Sequence, residues 1–208
     1  MVSVVKYETL GKGRIRVQFD TGITGVFYRG EALKASLSTD TILSDEEYEI
    51  LLREVLGKRA IKRAMHLLEQ MDRTEKQIRD KLKAGEYPEC CIDQAIEYVK
   101  RFHYLDDRRY AENYIRFSQN KMSRRNLSAK LMQKGISREI IELALEEGYI
   151  SDESKQIQAL LEKKHYNPET KDQGEFRRIY QYLMRRGFRS SDILREMKSG
   201  SVKFWSEN

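Results

Sequence analysis

The sequence predicts a mainly α-helical protein: three tandem three-helix repeats forming an elongated, curved array, preceded by a small β-ribbon and a helix. Three observations predict it. A two-helix pattern recurs three times in one register, apolar residues fall at helical spacing from Ser44 onward, and Pro88 and Pro168 are the two prolines in 208 residues. Composition agrees: 39% of residues are hydrophobic and 35% are charged, which suits slim elements burying one stripe each better than a thick core.

The opening segment has a different period. Ile15, Val17 and Phe19 alternate with Arg14, Arg16 and Gln18, as on a half-buried strand. Gly11-Lys12-Gly13 before it and Asp20-Thr21-Gly22 after it read as turns. Residues 23–28 supply a second strand, with Ile23, Gly25 and Phe27 on one face and Val26 and Tyr28 on the other. Such a ribbon is marginal by itself and needs packing against the helical part of the chain.

Ser44-Asp45-Glu46-Glu47 reads as a capping box opening a helix. Tyr48, Leu51, Leu52, Val55 and Leu56 form its apolar face, and Gly57 is the expected stop.

The remainder repeats. Counted from Leu82, Leu131 and Leu183, an apolar residue recurs at +5 (Tyr87, Ile136, Phe188), at +10 (Ile92, Ile141, Ile193) and at +14 (Ile96, Leu145, Met197). Glycine stands at +4 in the second and third copies and at +3 in the first. Each copy reads as a helix, a tight corner and a second helix, with a further helix before the pair. The start of that further helix recurs too, since Tyr104-Leu105-Asp106-Asp107 matches Tyr149-Ile150-Ser151-Asp152, with capping residues in place. The predicted organisation is an extension over 1–57, repeats over 58–105 and 106–150, and a third repeat with a tail over 151–208.

The net charge of +6 leans toward anionic partners, and its distribution says more. Between Lys121 and Arg138 lie Lys121, Arg124, Arg125, Lys130, Lys134 and Arg138, with no acidic residue. The third repeat carries Arg177, Arg178, Arg185, Arg186 and Arg189 against Glu175. In the first repeat Arg73, Lys76, Arg79, Lys81 and Lys83 are diluted by Asp72, Glu75 and Asp80. Stacking would align equivalent positions into a stripe, suited either to a phosphate backbone or to an acidic protein surface, because guanidinium pairs with both. Charged helical runs are more often solvated faces, but one lacking all acidic residues favours binding. Tyr180, Tyr182 and Phe188 lie among the arginines, where stacking on bases is open to them, although core packing suits them better.

Catalytic patterns are missing. The sequence has no glycine-rich phosphate loop, and His66, His103 and His165 lack zinc-helix spacing. Asp106 and Asp107 sit where helix caps belong, and the adjacent Cys90 and Cys91 make neither a disulfide nor a metal pair. No run reaches the roughly 18 apolar residues of a membrane span, and no secretion signal opens the chain. The expectation is a cytoplasmic, monomeric, non-enzymatic protein with no cofactor and no metal.

The run from Arg73 to Leu82, then Tyr104-Leu105-Asp106-Asp107 with Ala111, then Lys134-Gly135-Ile136, resembles the RecX family of bacterial regulatory proteins over about residues 58–200. The ribbon and its helix are similar to an N-terminal extension that some members carry. The resemblance implies a helical module lying in the groove of a RecA filament on single-stranded DNA, limiting its growth, its ATPase and the recombination and DNA-damage response it drives. Lys121, Arg124, Arg125, Lys130, Lys134, Arg177, Arg178, Arg185, Arg186 and Arg189 are the candidate contacts. Two features depart from the pattern: the displaced glycine of the first repeat and a longer insert at 164–174 in the third. The alternative is a sequence-independent nucleic-acid-binding repeat protein with no recombinase partner; a purely protein-binding scaffold fits the charge run less well.

Overall fold

The computed structural model describes residues 1–170 and 172–203, with side chains through residue 169 and from 172 to 198. Two compact units divide the chain, Met1–Asp107 and the part from Arg108 onward.

The first unit opens with an antiparallel sheet of β1 (Val2–Leu10), β2 (Arg14–Phe19), β3 (Thr24–Tyr28) and β4 (Ile42–Leu43), in the order β3-β2-β1-β4. The alternation in β2 buries Ile15, Val17 and Phe19 as predicted. Phe19 meets Phe27 and Tyr48 edge-on, at centroid distances of 6.5 and 5.0 Å. The expected ribbon of two strands is thus corrected to a sheet of four. A register shift between Val4 and Lys6 conceals β1: Val2 and Val4 face the core and Val5 faces out, 55% exposed, but the shift then moves the core-facing phase to Tyr7. Two residues are too few for β4 to show any period.

A short helix, α1 (Arg29–Lys34), follows β3. The Ser44 capping box starts α2 (Asp45–Ile50): the Ser44 hydroxyl accepts from the Glu47 N–H at 3.2 Å, and the Glu47 carboxylate accepts from the Ser44 N–H at 2.8 Å.

Gly57 does not end this helix, contrary to the sequence expectation. The chain stays helical through a π-helical segment, Leu51–Gly57, into α3 (Lys58–Gln70). In an α-helix, residues five apart diverge by about 140°, whereas π-helical winding brings them toward one face. That lets Leu51 and Leu56, and Leu52 and Gly57, all be buried. Gly57 sits inside the continuous helix with the Gln94 side-chain amide packed against it, where a β-carbon would push that amide aside. Gln94 belongs to α5 (Glu89–Arg101), which pairs with α4 (Glu75–Ala84) to complete the first repeat. One continuous core runs from Val2 to Leu105, so sheet and first repeat are buried against each other.

The chain continues with α6 (Asp107–Ser118), α7 (Arg124–Gln133) and α8 (Arg138–Gly148), then α9 (Glu153–Lys163), α10 (Gln173–Arg185) and α11 (Ser190–Lys203). A 3₁₀ turn at Pro168–Thr170 occupies the insert of the third repeat. The second unit has two cores, one for each helical trio.

All the repeat positions at +0, +10 and +14 are buried, and Ile136 and Phe188 at +5 are buried as well, while Tyr87 packs half-buried against its core. The corners explain the glycine offset. Gly135 and Gly187 adopt left-handed backbone, at φ 88° and 85°, and the residue that does so in the first copy is Glu86, at φ 59°. The left-handed residue therefore stands at +4 in all three repeats. In the first, the glycine before it closes the helix, and the Tyr87 N–H returns to the Leu82 carbonyl, as Ile136 does to Leu131. His103 and His165 serve in the same way after α5 and α9, with φ of 56° and 52°.

Candidate partner interface

The cationic residues of the second unit are placed by two helix ends that meet. Ser123, fully buried, caps α7 by accepting from the Asn126 N–H at 3.2 Å. Its own N–H donates to the Arg186 carbonyl at 3.1 Å, and the Asn126 side chain donates to the Arg185 carbonyl at 3.3 Å. The open carbonyls at the end of α10 are thus satisfied by the start of α7. Gly187 makes the approach possible, since a β-carbon there would stand 2.6 Å from the Ser123 hydroxyl and 2.7 Å from Asn126 Cβ.

This junction gathers Lys121, Arg124 and Arg125 with Arg185 and Arg186. Arg186 is the half-buried member: its guanidinium lies over the Tyr182 ring at 4.4 Å and donates to the Lys121 carbonyl at 2.9 Å. Lys130 and Lys134 lie toward the far end of α7, where the Lys134 ammonium sits over the Tyr110 and Tyr114 rings at 5.5 and 5.6 Å. Arg177 and Arg178 occupy the first turns of α10, and Arg189 stands between α10 and α11. The junction therefore joins five of the ten candidate residues; Lys130, Lys134, Arg177 and Arg178 lie away from it along the two helices, and Arg189 follows it in the turn to α11.

Pairing divides the cations read from sequence: in the first repeat three of the five meet carboxylates, while Arg73 donates to the Leu67 carbonyl. In the first repeat Arg79 reaches Glu75, Glu89 and Asp93 at 2.8, 3.1 and 2.7 Å, Lys76 holds Asp80, and Lys83 holds Glu89. Lys100 also binds Glu75, and with Arg79 it keeps that carboxyl below its ordinary value against the opposing effect of burial. In the second unit Arg178 has a long pair with Glu175, at 3.7 Å. Lys121, Arg124, Arg125, Lys130, Arg177, Arg185 and Arg189 have no carboxylate partner among the described residues.

The aromatic residues follow their core reading. Phe188 is buried, Tyr182 lies between Lys164 and Arg186, and Tyr180 stacks parallel to Phe176 while its hydroxyl meets that of Ser190. Cys91 is buried with its thiol pushed up to about 12, first by burial, and both cysteines are free. Among the described residues no cluster could hold a metal, and no helix is long and apolar enough to cross a membrane.

Sequence reasoning missed how the acidic residues at the helix starts act. Asp107 accepts from the Glu75 N–H at 2.9 Å, in the first turn of α4, and Glu153 does the same for the Arg124 N–H at 2.9 Å, in the first turn of α7. Each carboxylate opens one helical trio and caps the middle helix of the preceding one. The recurring Asp107 and Asp152 positions signalled caps: Asp152 caps its own helix α9, accepting from the Ser154 and Lys155 N–H groups, whereas Asp107 serves α4 through three-dimensional packing.

Three helical trios with a shared corner geometry define a helical-repeat protein, and several of its cations have no carboxylate partner among the described residues. The model for the first three-helix domain of RecX matches residues 60–98, the second 106–145 and the third 151–197. The chain belongs to the RecX family. It is 28% identical over 175 residues to the Regulatory protein RecX of Clostridium beijerinckii, covering 81% of this chain and 82% of that one. With the protein of the same description from Clostridium acetobutylicum it shares 33% identity over 152 residues, 70% and 69% of the two chains. Two solved structures share the fold: a crystal structure of regulatory protein RecX (TM-score 0.59, 22% identity, 98% and 100% coverage) and RecX from Lactobacillus salivarius (TM-score 0.58, 24% identity, 71% and 97% coverage).

Proposed function

We propose that this protein is a non-enzymatic negative regulator of the RecA recombinase that docks as a monomer in the groove of the cytoplasmic RecA filament on single-stranded DNA, limits its growth and ATPase, and so damps recombination and the DNA-damage response. The observation that carries the reading is the set of cations around the junction of α7 and α10 that have no carboxylate partner among the described residues, beside a first repeat in which Lys76, Arg79 and Lys83 are paired. Cations left without internal partners suit an external anion, and a nucleoprotein filament offers both phosphate and carboxylate. Lys121, Arg124, Arg125, Lys130, Lys134, Arg177, Arg178, Arg185, Arg186 and Arg189 are the proposed contacts.

The test is DNA-dependent ATP hydrolysis by the cognate RecA, titrated with this protein and with an R124E/R125E/K130E/K134E variant. Suppression at sub-stoichiometric amounts by the wild type, lost in the variant, supports the reading. Firm binding to bare single strands without any effect on RecA overturns it in favour of a general nucleic-acid binder.

A further inference from the structure

At the end of α5 three aromatic rings form an exposed cluster in the first unit, none of them a member of the cationic set of the second. Tyr98 and Phe102 are four residues apart on one helical face, with centroids 4.7 Å apart and planes at 48°. The left-handed backbone of His103 then folds the chain back and sets Tyr104 beside Phe102, at 6.4 Å and 37°. The rings are 39%, 51% and 47% exposed, so each keeps a large area in water. Burial of such area drives folding, and a contiguous patch left in solvent marks a contact surface.

The cluster is rigidly held. The N–H groups of Tyr104 and Leu105 both return to the Val99 carbonyl, at 2.9 and 3.1 Å, and Val99 and Leu105 are core residues. A backbone corner fixed in this way limits the freedom lost on binding, which favours contact with a flat partner.

Charge specifies what kind of partner. The segment reads Lys100-Arg101-Phe102-His103-Tyr104, aromatic residues alternating with basic ones. Lys100 is engaged by Glu75, but Arg101 has no carboxylate within ion-pair distance among the described residues, not even Glu97 one turn before it. Its guanidinium lies 5.9 Å from the centre of the Phe102 ring. An exposed aromatic step with an unpaired guanidinium at its edge matches the chemistry of a single-stranded nucleic acid, whose bases stack while its phosphates pair with arginine.

We infer that Tyr98, Phe102 and Tyr104 form a base-stacking platform for single-stranded DNA, with Arg101 holding the adjacent phosphate. The inference rests on the reading of single-stranded DNA as a partner and adds a sequence-tolerant contact through the bases to the phosphate contacts of the second unit.

Fluorescence anisotropy of the full-length protein with two labelled probes tests it: an oligothymidylate of about 16 nucleotides and an abasic deoxyribose-phosphate strand of equal length. The wild type binds the thymidylate more tightly than the abasic strand. Phe102→Ala weakens thymidylate binding roughly ten-fold, leaves abasic binding in place and does not alter the salt slope, because no phosphate contact is lost. Phe102→Trp in a Trp205→Phe background restores the preference, and its emission is quenched by the thymidylate and not by the abasic strand. Circular dichroism checks that each variant keeps the helical fold. Equal affinity of the wild type for both strands, no binding to either, or an unaltered Phe102→Ala variant overturns the platform. RecA suppression persisting without base preference sinks the platform only; base preference without RecA suppression sinks the regulator and leaves the platform standing.

Discussion

Arg16 on β2 and Glu86 at the corner after α4 meet in a two-pronged ion pair, Nε to Oε2 at 2.7 Å and Nη2 to Oε1 at 2.8 Å. Glu86 also holds the left-handed corner position that its two counterparts give to glycine. The pair fastens the sheet to the first repeat, with Arg59 as a second clasp between the Tyr28 and Tyr87 rings. Glu86 thus trades backbone strain for a side-chain contact.

That trade has a pH signature. The hydrogen bond from Arg16, followed by its charge, holds the Glu86 carboxyl below its ordinary value. A depressed folded pKa gives stability that is present above the unfolded value and lost as pH falls through the folded one. Glu86→Gly relieves a left-handed non-glycine residue, a gain of about 1 kcal/mol, and loses the pair. Thermal melts are therefore expected to show Glu86→Gly more stable than wild type in acid, with the advantage shrinking toward pH 7. Both groups are partly exposed, so the pair contributes modestly and Arg16→Met lowers the neutral melting point by a few degrees at most.

Gly187 carries both a positive φ of 85° and a close approach to Ser123 and Asn126. Ser123 is fully buried and cannot move aside. Gly187→Ala is expected to destabilise by roughly 2 kcal/mol or more, combining left-handed strain with the clash. Denaturant titration measures it; an unaltered midpoint would show that the ends of α7 and α10 are not locked together.

Asp107 faces opposing influences. Burial, the largest, raises its carboxyl, and the Glu75 N–H that it accepts lowers it, for a net rise. A carboxyl raised in the folded state loses stability as pH climbs from its unfolded value through the folded one. Asp107→Asn keeps an acceptor for the Glu75 N–H without the buried charge, so its stability at pH 7 should equal or exceed that of wild type. Asp107→Ala removes the acceptor and should cost about 1 kcal/mol, a contrast that chemical denaturation reads directly.

Arg186 is expected to differ from its cationic neighbours. Its guanidinium is spent on the Lys121 carbonyl and the Tyr182 ring, whereas Arg125 and Arg189 are exposed, with no carboxylate partner among the described residues. Arg186→Ala should lower stability by about 1–2 kcal/mol through the lost hydrogen bond and packing. Arg125→Ala and Arg189→Ala should leave the melting point unmoved and reduce filament binding alone, which parallel melting and ATPase-suppression assays separate.

The repeats and their cores were legible because burial imposes a period. Leu82, Leu131 and Leu183, with their partners ten and fourteen residues on, could be read as core without coordinates, since an α-helix can bury one stripe and must show it. Strand β2 was legible for the same reason at period two. Strand β1 was not, because its bulge breaks the period. The role of Gly57 was not legible either, because glycine ends helices and also admits close neighbours, which local sequence does not separate.

The cations of the site were readable as a charge run, but their pairing was not. Arg79 and Arg125 look alike in sequence; one is held by three carboxylates and the other by none among the described residues. Likewise Asp107 announces a cap, while the helix it caps starts 32 residues earlier in the chain, and nothing in the sequence announces that Glu153 serves the Arg124 N–H. The sequence by itself determined the repeat, its register, the buried stripes and the family, all set by short-range periodicity. Only the tertiary structure decided which charges are neutralised and which aromatic rings stay in water, because those depend on partners that packing, and not spacing, brings within a few ångströms.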